Sequence, residues 1–229
     1  LKEIIMRDSY IAFLDRMGLT KDDFFEFGLS ETIYAEENQA SQCWADLKKR
    51  IETNQTVYIR GFGRNASGTH LFQNLYSEVL GNRNVVKDST NNAEPTKLIR
   101  QLTGFSKTTS KQYQPLRNYQ ISHVFGRTKN VYAFTAPWNI VYVPKLIDPF
   151  TGHEAKGEMV DEYTVLFQKS VFERFEKYIN EFNCLMTNSE FLASLDEHVN
   201  RLRDSNDVSD DIVNKMCKAI TEEFAPIEL

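Results

Sequence analysis

Three side chains in one stretch of this chain have the types and spacing to do chemistry together: His123, Asn139 and His153. They lie in NYQISHVFGRTKNVYAFTAPWNIVYVPKLIDPFTGHEAKGE, residues 118–158. His123 ends an apolar run that starts at Ile121. Asn139 immediately precedes another, Ile140 to Val143, and His153 falls where a long helical pattern begins. A neutral histidine, with an ordinary pKa of about 6.5, can take a proton from water near neutral pH. A divalent cation can absorb the charge that builds on a phosphate and on a departing oxygen. Asp148 offers a carboxylate, the donor that suits a hard cation such as Mg²⁺. Asn139, after Pro137-Trp138, is also a residue type that tolerates turn dihedrals.

The order His, Asn, His on strand, loop and helix resembles the HNH branch of the ββα-metal nucleases, over residues 118–158 and no further. The resemblance implies hydrolysis of a phosphodiester. His123 would be the general base, and Asn139 would hold the long loop so that the base is oriented. His153 would bind the metal from the first turn of the helix, with Asp148 as a candidate second ligand. The implied cofactor is Mg²⁺, with Mn²⁺ as the alternative, and the implied partner is double-stranded DNA. Many members of the family carry Asp or His just before the base as another ligand. Here that position is Ser122, so the metal keeps more waters or draws on Asp148 or Glu154. The paired cysteines of zinc-bearing relatives are missing. The chain is similar to type II restriction enzymes and phage-defence nucleases, which implies site-specific double-strand cleavage; homing endonucleases are a further possibility. The competing reading is a non-catalytic DNA-binding protein with a degenerate core, and Ser122 is its argument.

Charge agrees with a nucleic-acid partner once its distribution is considered. The net charge of 229 residues is −5. Yet residues 82–130 carry nine basic and two acidic residues, while residues 131–229 carry nine basic and eighteen acidic. A local block of cations binds phosphate through counterion release whatever the total. Lys107, Lys111, Arg117, Arg127 and Lys129 flank His123 and are expected to contact DNA, as are Arg60 and Arg64 beside the turn Gly61-Phe62-Gly63. Three widely spaced cysteines point to a reducing cytoplasm without a disulfide framework. No run of 18 apolar residues predicts a membrane span, and the charged opening stretch does not read as a secretory signal.

The elements that must position these residues follow from periodicity. Helices are predicted over 2–17, from Thr20 as an N-cap, over 39–53, 69–80 and 95–102, from about 151 to 185, and over 187–203 and 208–224. Strands are predicted at 56–60, 119–124 and 139–144, with a short strand or turn at 85–88, and 104–117 reads as a polar loop. The expected class is α+β: an HNH-like ββα-metal core at 115–170, an N-terminal α/β region with a basic linker at 1–114, and a helical region at 171–229. The C-terminal helices are expected to brace the core or to form a homodimer. Gly61-Phe62-Gly63-Arg64-Asn65-Ala66 also matches a dinucleotide fingerprint with Asp88 as its acid, a third and remoter reading.

Overall fold

Thr20 shows how closely local sequence dictates local structure. It caps α2 (Lys21–Ser30) in a reciprocal box: Thr20 Oγ1 accepts from the Asp23 N–H at 3.1 Å, and the Asp23 carboxylate accepts from the Thr20 N–H at 2.8 Å. The computed structural model describes residues 7–152, 154–204 and 209–229. Asp8 caps the preceding helix, α1 (Ser9–Met17), and α3 (Glu37–Glu52) follows. Next come β1 (Val57–Ile59), α4 (Thr69–Val79) and β2 (Val85–Lys87). The two strands pair in parallel, so this segment is a βαβ unit.

α5 (Ala93–Thr103) stops at Gly104, whose φ of +73° suits glycine. The segment expected to be loop contains β3 (Phe105–Ser106) and β4 (Gln114–Pro115), paired in parallel. Two-residue strands are too short to leave an alternation in the sequence.

β5 (Tyr119–His123) and β6 (Ile140–Pro144) form an antiparallel pair with His123 opposite Ile140 and Ser122 opposite Val141. Side chains alternate across the pair. Ile121, Ile140 and Tyr142 pack with Ile99 of α5 and Leu116 in a small cluster. Val141 and Val143 face the main core, which gathers buried residues from Leu14 to Ile227 and so draws on all three expected regions. β6 is buried at every position, which explains its unbroken apolar sequence.

After β6 comes a four-residue helix, α6 (Asp148–Thr151), and then α7 (Glu158–Met186). The long helix therefore begins at Glu158 rather than near 151, after Gly157 with φ +118°. The first turn of α7 thus starts five residues beyond position 153, and His153, expected to bind the metal from that turn, lies outside the described residues. The apolar stripe of α7, from Val160 through Phe167 and Phe175 to Phe182, is buried as its spacing predicts. α8 (Ser189–Asp204) and α9 (Asp210–Phe224) complete an α+β fold. Among the described residues no helix is long and apolar enough to cross a membrane.

Candidate active site

β5 ends at His123, and the chain turns away through Gly126 (φ +66°) and Arg127 (φ +55°) into a loop that returns at Asn139. This loop is shaped by Asn139, which is fully buried. Its Oδ1 accepts from the Phe125 N–H at 2.9 Å, and its Nδ2 donates to the carbonyls of Gly126 at 2.9 Å and Ala133 at 3.0 Å. One side chain thus ties both arms of the loop together. Asn130, also fully buried, accepts from the Tyr132 N–H at 2.9 Å and donates to the Glu223 carbonyl at 2.9 Å.

The loop carries Phe134 back against His123. The two rings stack at 5.4 Å and 7°, and His123 Nε2 lies 3.0 Å from the Phe134 carbonyl oxygen. A carbonyl only accepts, so Nε2 must carry the hydrogen, and the lone pair is left on Nδ1. Burial lowers the His123 pKa to about 4, with the nearby Arg60 charge adding to the depression and the Phe134 bond opposing it. At neutral pH the ring is uncharged, the form that can accept a proton.

His123 lines a cleft of about 1030 Å³ bounded by the post-β5 loop, by Thr151 and Gly152 at the end of α6, by the first turns of α7 and by the end of α9. Arg60, Arg127 and Lys129 reach it, and so does Lys156, which the expectation did not include. Lys129 is engaged: its Nζ lies 2.6 Å from Glu223 Oε1, and its N–H donates to Oε2 at 2.8 Å. Arg127 Nε donates to the Ala225 carbonyl at 3.4 Å, and burial lowers its pKa. Arg64, Lys111 and Arg117 are exposed and do not line the cleft. Lys107 sits elsewhere too: its Nζ donates to Gln120 Oε1 at 2.9 Å, on the strand face of Ser122, and burial lowers its pKa.

The expected metal side is less complete. Ser122 Oγ is 3.1 Å from Thr151 Oγ1, which in turn donates to the Asp148 carbonyl at 3.0 Å. Burial, and then the Glu154 carboxylate, raise the Asp148 pKa, while Lys107 and Lys145 pull it down. Two mutually repelling carboxylates suit a hard cation. However, among the described residues no group of three His, Cys, Asp or Glu side chains is placed to hold a metal ion. The described donors therefore do not make a complete metal shell.

The glycine turn after β1 is spent internally. The Gly61 N–H donates to Asn91 Oδ1 at 3.0 Å, the Phe62 N–H to Thr69 Oγ1 at 3.0 Å, and the Gly68 N–H to the Phe62 carbonyl at 3.0 Å. The Gly61, Phe62 and Gly68 amides are therefore not open to a phosphate, which weighs against the dinucleotide reading of this turn. Asp88, 1% exposed, accepts from the N–H groups of Thr90, Ala93 and Glu94 at 2.9, 2.9 and 2.7 Å. It caps α5 and is not free to hold a ribose.

Sequence reasoning missed Glu223, Asn130 and the pair Asn91-Asn92. For Glu223 a signal existed: a carboxylate on the buried stripe Val213, Met216, Ile220 of α9.

A family model described as "Uncharacterised protein PM1201" matches residues 35–229. The chain is also similar to "Uncharacterized protein PM1201" of Pasteurella multocida (strain Pm70), at 34% identity over 97% of this chain and 98% of the relative. No solved structure matches.

Proposed function

We propose that this chain, which belongs to the family described as "Uncharacterised protein PM1201", is a metal-dependent DNA endonuclease with an HNH-like ββα core. One observation carries the reading: a neutral imidazole at a strand end whose Nε2 is committed to the Phe134 carbonyl, leaving Nδ1 as a base directed by a loop that buried Asn139 clamps. A satisfied structural histidine needs no cleft on one side and no three-bond clamp on the loop behind it. The cleft beside it is lined by Arg60, Arg127, Lys129 and Lys156, and cations suit phosphates.

In the reaction, water adds to phosphorus as its proton passes to His123 Nδ1. The ester P–O bond breaks, and the departing oxygen takes a proton from solvent, giving a phosphomonoester and an alcohol. Asn139 acts at a distance, by keeping Phe134 and hence the ring in place. By resemblance a divalent metal, Mg²⁺ or Mn²⁺, supplies charge stabilisation, with Asp148, Glu154 and His153 as the residues to hold it. Double-stranded DNA is the substrate and site-specific double-strand cleavage the outcome. Two copies in a closed dimer would present one site to each strand.

A second reading, a DNA-binding protein with a degenerate core, is favoured by the bond between Ser122 and Thr151 and by the incomplete donor set. The test is incubation with plasmid and phage DNA, with and without Mg²⁺. Discrete Mg²⁺-dependent fragments support the restriction-type reading and a smear a non-specific nuclease. Intact DNA with retarded migration would replace both with the binder.

A further inference from the structure

The cations of the cleft are not equivalent. Lys129 is neutralised by buried Glu223, and Arg127 is tied to the Ala225 carbonyl with Glu223 and Glu222 close by. Lys156 is exposed and solvated. Arg60 differs from all three. It is half-buried, and no carboxylate of the described residues lies within ion-pair distance of it. Its Nε donates to the Asn91 carbonyl at 3.4 Å and its Nη2 to Asn92 Oδ1 at 3.2 Å, both neutral acceptors. A guanidinium has five N–H donors, so three remain without a partner among the described residues. Asp88, the nearest buried acid in sequence, has both oxygens committed to the start of α5.

The same residue is keyed to the base. The Arg60 N–H donates to the Thr128 carbonyl at 2.8 Å, so the end of β1 is pinned to the loop that carries Phe134. Asn91, with φ +66°, also binds the Gly61 N–H, which fixes the turn that presents the Arg60 side chain. Arg60 and His123 line one cleft from opposite sides of the chain, and the Arg60 charge is felt at the imidazole.

We propose that Arg60 is a catalytic residue whose guanidinium holds the non-bridging oxygens of the phosphodiester under attack, so that the active site is shared between the β1–α4–β2 unit and the β5–β6 hairpin. The proposal rests on the nuclease reading above. A planar fork of free N–H donors matches two phosphate oxygens, which a lysine ammonium does not. Charge on those oxygens grows as water adds, so the contact strengthens between substrate and transition state and acts on kcat rather than on affinity alone. Asn92, through Oδ1, is a positioning residue for that fork.

The experiment is single-turnover cleavage of a duplex by wild type, Arg60→Gln and Arg60→Lys, with duplex affinity, thermal unfolding and a pH profile measured in parallel. Arg60→Gln is expected to lose on the order of 10²–10³-fold in kcat, with duplex affinity changed by less than about 10-fold. Added guanidinium ion should restore part of the rate. The acid limb of kcat/KM should also move to higher pH, because the neighbouring positive charge that depresses the imidazole is gone. Arg60→Lys should fall between the two. If Arg60→Gln fails to fold, Arg60→Lys decides: a reduced kcat at unchanged affinity supports the assignment, and a wild-type kcat overturns it. Wild-type kcat in a folded Arg60→Gln overturns the role of Arg60 while leaving the nuclease reading intact. A wild type that never cuts removes both.

Discussion

The two halves of the candidate site are built on opposite plans. On the base side the loop is tied down at several points. Asn139 makes three bonds, Asn130 joins the loop to the end of α9, and Phe134 both stacks on His123 and binds it. On the side proposed for the metal a four-residue helix carries a carboxylate that a second carboxylate repels, and the serine where many HNH nucleases place a ligand is bonded to a threonine. A base must be aimed within a few tenths of an ångström, so its surroundings fix it in advance. A hard cation can draw its oxygens together on arrival, and like charges held apart are part of its driving force.

The sharpest way to break this comparison is at the base. His123→Ala should lower cleavage by ~10²–10⁴-fold while duplex affinity stays near wild type in filter binding; retained cleavage would remove His123 from the mechanism. Next is the clamp. Asn139→Ala orphans the Phe125 N–H and the Gly126 carbonyl and leaves the Ala133 carbonyl only the Ala136 N–H, at roughly 3 kcal/mol in all, and should lower Tm by roughly 6–12 °C for a chain of this size. Asp148→Asn, on the side without such a clamp, should leave urea stability nearly unchanged. Equal losses for the two variants would erase the contrast.

Metal dependence sharpens the other half. Chelation should abolish cleavage, and Asp148→Asn should weaken Mg²⁺ binding by ~10-fold or more, with partial rescue by Mn²⁺. Ser122→Asp should tighten it by supplying the donor common among HNH nucleases. Calorimetry in which neither change alters the Mg²⁺ isotherm would move the metal away from α6. The pH prediction follows from the lowered pKa of His123. The folded ring stays neutral down to about 4. The kcat/KM should therefore hold nearly level from pH 7 to about 5 and fall as pH drops through about 4, where the base takes up its proton. An acid limb near 6.5 would mean the ring is solvated and unclamped. The smallest effect belongs to the lysines of the basic block. Lys111→Ala should reduce the salt slope of duplex binding by about one unit if the exposed 107–113 segment touches phosphate, whereas Lys129→Ala should act mainly on stability, because Glu223 already holds it.

The α+β class and most elements around the candidate site were legible from residue types. His123 and Asn139 stood out because polar residues bracketed two apolar runs, and the α7 stripe was readable from its spacing. The start of α7 was misplaced because Gly157 breaks a pattern that Thr151 onward otherwise continues. The fate of each cation could not be read. Counting charges treats Lys129 and Arg60 alike, and what separates them is a carboxylate 94 residues further along the chain. Likewise Asn91 and Asn92 meet Arg60 across 31 and 32 residues, a separation at which no local pattern survives.

That same long-range closure bears on the order of events in folding. The loop behind the base is fastened by contacts from Glu223 and Ala225, which reach back 93 to 98 residues. Contacts of such sequence separation form late. A nascent chain whose residues beyond 222 are still inside the ribosome has the hairpin but lacks the fastening that sets the loop. Synthesis itself would then delay arming of the base until the helices that follow have docked. Stalled ribosome complexes of increasing length should acquire protease resistance in residues 124–139 only after residue 225 emerges, and protection at shorter lengths would show that the loop closes on its own.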